Sequence, residues 1–144
     1  MTVRVLALAI ALASFDAQAQ ATSCSKAEAI NGETAASSAR TWDALYDAFH
    51  RFGHCDDGAI GAGFSDSVVR LLATRWQDLH EFEQLSVPDR RFRAFVLRHI
   101  DATANERDLR RIVAHSSACP SHARPVCRDI EKAGREALRE MGKN

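Results

Sequence analysis

His50, His54, Cys55, Asp56 and Asp57 gather within eight positions, and all are of types that bind metals or move protons. His50 and His54 stand four apart and share a helix face if the helix runs past Gly53. Two imidazoles with a carboxylate would suit zinc or another divalent cation. Gly53 is expected to end that helix, and H-x-x-x-H lacks the interior Glu of a metalloprotease motif. The simpler reading is exposed histidines beside a disulfide, with no metal and no cofactor.

Asp56, Asp57 and Asp66 offer carboxylates for general acid–base work on glycans. Adjacent carboxylates usually point apart, a helix N-terminus favours acids, and Arg70 lies four residues after Asp66. A lytic glycosidase would more readily use a Glu in an apolar pocket, and no Glu occurs between Glu33 and Glu81. Ser65 and Ser67 follow Gly61-Ala62-Gly63, which is neither a dinucleotide nor a phosphate loop, and no G-x-S-x-G elbow exists. Serine nucleophile chemistry is not expected.

Arg90, Arg91, Arg93 and Arg98, then Arg107, Arg110 and Arg111, would fit carboxylates of a partner protein or a cell-wall polymer. Their plainer role is a solvated face paired with Asp101, Glu106 and Asp108. The aromatic side chains, from Trp42 to Phe95, recur at core spacing.

These residues need a scaffold. The chain has 144 residues, with 19 basic and 19 acidic side chains. Arg4, the apolar run Val5 to Ala13 and the small residues Ala17, Ala19 and Ala21 make residues 1–21 a signal peptide, cleaved near Ala19 or Ala21. The apolar run is too short to span a bilayer. Cleavage removes Arg4 and Asp16 and leaves 123 residues, still formally neutral. That suits a single domain over 22–144 and gives no support to nucleic-acid binding. No later stretch reaches membrane length, so no membrane insertion is expected after cleavage.

Secretion makes two disulfides the expectation for the four cysteines. Local loop closure favours Cys24–Cys55 and Cys119–Cys127, worth about 3.7 and about 2.6 kcal/mol in the chain-entropy model.

Residues 22–40 read as a weakly structured arm, with a short helix near Ser25–Ile30 and a turn at Asn31-Gly32. Thr41 caps a helix carrying Trp42, Leu45, Tyr46, Phe49 and Phe52, closed by Gly53. A second helix runs from about Asp57 to Asp78, its glycine-rich end packed on another helix. Shorter helices follow over Leu79–Val87, after Pro88-Asp89, and after Thr103 or Asn105. The last spans about Val126 to Met141. Period-two alternation is absent. The fold class is all-α: about five or six short helices in one irregular, disulfide-braced bundle.

The run Cys55-Asp56-Asp57-Gly58-Ala59-Ile60, continuing through Ser65–Leu72 to Trp76, resembles small secreted proteins of proteobacteria. Phe95 to Thr103 and the Cys119–Cys127 loop are similar to the same group. The resemblance spans roughly Trp42 to Ile130 and implies a helical secreted domain without a transferable activity. In size, helix content and disulfides the chain is also similar to periplasmic immunity proteins that neutralise cell-wall amidases delivered by type VI secretion.

The leading expectation is therefore a periplasmic or secreted protein-binding module of inhibitor or immunity type. Its partner would be a cell-wall hydrolase or another envelope protein. The candidate patch is His54, Asp56, Asp57, Gly61, Gly63, Asp66 and Arg70, where glycines conflict with local helix preference. The alternatives are an envelope structural or stress protein without a small-molecule site, and a small cell-wall or metal-dependent hydrolase using His54, Asp56, Asp57 and Asp66.

Overall fold

A computed structural model describes residues 23–143. The signal peptide expected over residues 1–21 lies outside the described residues. Among the described residues the chain is all helix: α1 (Lys26–Ser38), α2 (Trp42–Phe52), α3 (Gly58–Thr74), α4 (Leu79–Ser86), α5 (Arg90–Arg98), α6 (Glu106–Ser117) and α7 (Arg124–Met141). Single 3-10 turns at 53–55, 76–78 and 121–123 link some of them. The class is the expected one, with seven helices rather than five or six.

The additional helix is α1, which replaces the expected weakly structured arm. Ser25 and Glu28 form a capping box: Ser25 Oγ accepts from the Glu28 N–H at 3.3 Å, and Glu28 accepts from the Ser25 N–H at 2.9 Å. The helix shows little hydrophobic pattern because its buried positions are Gly32 and Ala36. Asn31-Gly32 is no turn. A Cβ at Gly32 would stand 3.3 Å from the Phe52 side chain, so the missing side chain lets α1 lie against the end of α2.

α2 begins at the Thr41 cap, as expected. Gly53 ends it at φ −62°, without the left-handed geometry of a C′ glycine, and the chain tightens into the 3-10 turn. Asp57 caps α3, and Gly58 sits at φ +51°, a conformation that favours glycine. The helix expected to reach Asp78 stops at Thr74. Arg75 leaves helical geometry and pairs with Asp78 at 2.7 Å, and Trp76 beyond the break stacks on His115 of α6 at 5.4 Å.

The glycine-rich half of α3 packs on α1. A Cβ at Gly63 would lie 3.1 Å from the Ser37 backbone nitrogen. Ser67 donates to the Ala36 carbonyl, and Arg70 donates to the Ala39 carbonyl at 2.9 Å. Those bonds satisfy carbonyls that the end of α1 leaves without helical partners. Behind them runs an aromatic core. Trp42 packs on Phe82 at 4.8 Å, and Phe64 meets Phe95 edge-on at 4.9 Å.

Both disulfides form as expected, Cys24–Cys55 and Cys119–Cys127, and none of the described cysteines is free. Cys24–Cys55 fastens the start of α1 beside Asp56. Among the described residues no helix is long and apolar enough to cross a membrane.

Candidate functional site

The polar side chains converge where the start of α3 meets the end of α5. Asp56 lies just before α3, and Ser65 sits two turns into it. His99 caps the C-terminus of α5, and Asp101 and Thr103 follow in the loop to α6. His99 is 5% exposed and continues the aromatic row, with Phe95 at 4.4 Å. The α5 stripe that reads as apolar thus ends in an imidazole.

The hydrogen bonds form one chain. His99 Nε2 lies 3.1 Å from Asp56 Oδ2, which fixes the ring proton on Nε2. Nδ1 is then an acceptor, 2.9 Å from Ser65 Oγ. Ser65 Oγ donates to Asp101 Oδ2 at 2.8 Å, so one hydroxyl proton serves two acceptors. Asp101 Oδ1 accepts from the Thr103 N–H at 2.8 Å and from its hydroxyl. Arg98 Nη2 donates to Asp56 Oδ2 at 2.7 Å.

Burial pushes His99 below the ordinary imidazole value; Asp56 pulls upward, while Arg98 adds to the depression. Burial works against the Asp101 carboxylate, but the Thr103 and Ser65 hydrogen bonds outweigh it and hold its pKa below the usual value. Ser65, His99 and Asp56 share the residue types of a hydrolytic triad. Their arrangement differs in use. The Ser65 proton is drawn to a carboxylate, and Ser65 itself is only 5% exposed. The cluster ties α3 to the loop after α5.

Over it opens a cavity of about 370 Å³, whose lining includes Asp56, Asp57, Gly61, Arg98 and Thr103. Three residues of the sequence-derived patch, Asp56, Asp57 and Gly61, meet here. Gly63 faces α1, and Asp66 pairs with Arg70 beside the α1 terminus. His54 turns to Glu28, 3.3 Å away, whereas His50 reaches Asp89 at 3.1 Å. The two histidines thus serve different neighbours, because α2 gives way to a 3-10 turn between them. Among the described residues, no group of three or more His, Cys, Asp or Glu side chains is placed to hold a metal ion.

Sequence reading missed Ser65, His99 and Asp101 as one unit. They are 34 and 36 residues apart in pairs, and only packing joins them. The arginines divide. Arg110 and Arg111 pair with Glu106 and Asp108 as expected, while Arg93 reaches Asp129 and Arg98 reaches Asp56. Asp101 is taken by Ser65 and Thr103 instead. No family model, no curated protein and no solved structure matches the chain, so its own geometry carries the functional reading.

Proposed function

We propose that the protein is a binding module of inhibitor or immunity type, working in the periplasm by covering a surface of an envelope enzyme such as a cell-wall hydrolase. The observation that supports this reading is the depression at the start of α3. It is acid-lined and open to solvent. Its floor is fixed by the His99 hydrogen bonds, and its edge by the adjacent Cys24–Cys55 bridge. A recognition surface fixed before the encounter loses little conformational entropy on binding. The side chains best suited to chemistry are engaged with one another beneath it. Two disulfides fit an oxidising compartment.

The test uses the mature, oxidised protein and its Gly61→Leu variant as baits in cross-linked periplasmic extracts from its host and from competing bacteria. The expected result is one stoichiometric envelope enzyme, held by the parent and lost by the variant, whose peptidoglycan cleavage the parent inhibits. A folded parent bait that captures no such enzyme would leave the envelope structural role standing in its place.

A further inference from the structure

We infer that the groove between α6 and α7 is a docking site for an amphipathic helix of a partner protein, one whose apolar stripe is flanked by carboxylates. The inference goes beyond the proposed function, because the groove shares no lining residue with the depression at the start of α3.

Two helices packed side by side leave a furrow along their outer seam, and the side chains there decide whether water or a third helix fills it. α7 lies close against α6: a Cβ at Gly134 would stand 3.0 Å from the Val113 side chain. Val113 also lines the furrow, a cavity of about 570 Å³ bounded by Arg110, Val113 and Ala114 of α6 and by Arg135, Leu138 and Arg139 of α7. Val113 and Leu138 are half-buried at its floor, Ala114 is exposed, and none of the three has a polar side chain to hold water. A merely solvated face would carry polar groups across the floor as well as along the rim.

The rim is cationic and has donors to spare. Arg110 gives both Nε and Nη2 to one oxygen of Glu106, and Arg135 gives the same two groups to one oxygen of Glu131. The Nη1 of each has no acceptor among the described residues. Arg139 donates Nε to the Arg135 carbonyl at 3.2 Å, and among the described residues no carboxylate pairs with it. Neither glutamate lines the groove. Arg110 is 68% exposed and Arg135 58%, and exposed pairs of this kind contribute little, so a ligand carboxylate can share or replace them. Three guanidiniums around an apolar floor are the complement of an apolar stripe bordered by Glu or Asp, which is one face of an acidic amphipathic helix. Other occupants fit less well. A second copy of the same groove would set arginines against arginines across a two-fold axis. A flat lipid surface would reach the exposed arginines before the half-buried floor.

The experiment titrates the mature, oxidised protein with a labelled helical peptide of about 15 residues, a leucine stripe flanked by glutamates, and follows anisotropy and backbone amide shifts. The comparison probes are the same peptide with lysines in place of the glutamates, and vesicles of anionic phospholipid. The expected result is saturable binding of the glutamate peptide, with shifts at Val113, Ala114 and Leu138, and affinity about tenfold lower for the lysine peptide. Arg139→Glu should keep its melting temperature and lose about tenfold in affinity for the glutamate peptide. Ala114→Gln, at an exposed helix position, should fold and block the floor. No saturable binding to the folded parent, equal binding of the two peptides, or undiminished binding in folded Arg139→Glu overturns the inference. Vesicle binding that Arg139→Glu abolishes, with no peptide binding, would give the groove to a lipid surface instead. A parent dimer that Ala114→Gln dissociates would give it to a second copy.

Discussion

Replacing Ser65 by Ala probes the cluster at its centre. The substitution removes one oxygen from a helix interior, where Ala is preferred over Ser by about 0.5 kcal/mol. By propensity alone the variant would gain stability. The structure predicts a net loss. The Ser65 hydroxyl donates to a carboxylate at 2.8 Å and lies 2.9 Å from the His99 ring nitrogen. A hydrogen bond to a charged group contributes about 1.5–3 kcal/mol, and a buried acceptor left bare costs about 1–3 kcal/mol. Asp101 is part-buried and keeps both Thr103 bonds, so the lower end of each range applies. After the helix gain is subtracted, the expected loss is about 2 kcal/mol.

For a domain of this length that corresponds to a melting temperature lower by about 8 °C. The assay is thermal unfolding of the mature, oxidised protein near neutral pH, with urea unfolding to confirm an unchanged slope. Ser117→Ala is the control. Ser117 is exposed and bonds only to its own helix at Val113, so the same change there should be neutral or slightly stabilising. A double-mutant cycle with Asp101→Asn should return a coupling of about 1 kcal/mol or more. Equal melting of Ser65→Ala and the parent, with no coupling, would refute the view that this hydroxyl joins α3 to the loop after α5.

Acidification should destabilise the fold in two windows. The depressed His99 contributes stability that is complete above its ordinary value of 6.5 and lost as pH falls from there through its own lower pKa. Asp101 contributes above 3.8 and is lost as pH falls through its lowered pKa. Unfolding free energy measured across pH should show the first slope in the parent and not in His99→Gln; stability rising on mild acidification would contradict the assignment. Gly63→Leu should cost about 3 kcal/mol because its Cβ meets the α1 backbone, whereas Gly61→Leu should melt within about 1 kcal/mol of the parent. Similar melting of the two variants would show that α1 does not approach α3 as described. Arg70→Ala should cost about 1–2 kcal/mol by freeing the carbonyls at the end of α1, and an unchanged urea midpoint would count against that capping. Removing Cys24–Cys55 should cost about 3.7 kcal/mol and Cys119–Cys127 about 2.6 kcal/mol, so the reverse order in calorimetry would contradict the loop-length account.

The parts that were legible in the sequence are those whose physics is local. Thr41, Asp57, Asp89 and Asn105 each cap the helix that follows because a side-chain oxygen and a backbone N–H two or three residues on, or the next one for Asp57, need no other partner. The disulfide pairs followed from loop length, and the all-α class from the 3.6-residue period of large apolar side chains. α1 was hidden for the converse reason. Its buried face is Gly32 and Ala36, which carry no hydrophobic period, and their smallness makes sense only once Phe52 and Gly63 lie against them. The Gly61-Ala62-Gly63 run signalled a conflict with helix preference, and the structure gives it two separate causes. Gly63 admits the backbone of α1, while Gly61 leaves a carboxylate oxygen uncovered. The first conflict is resolved by helix packing, and the second leaves room beside the Asp56 side chain. His99 shows the same limit from the other side. At helical spacing it counts as one more member of the Phe92–Phe95 stripe, and its polar role appears only when Asp56 and Ser65 arrive from elsewhere in the chain. The features that distinguish this bundle from other small helical proteins are thus the ones set by long-range contact, and they converge at the start of α3.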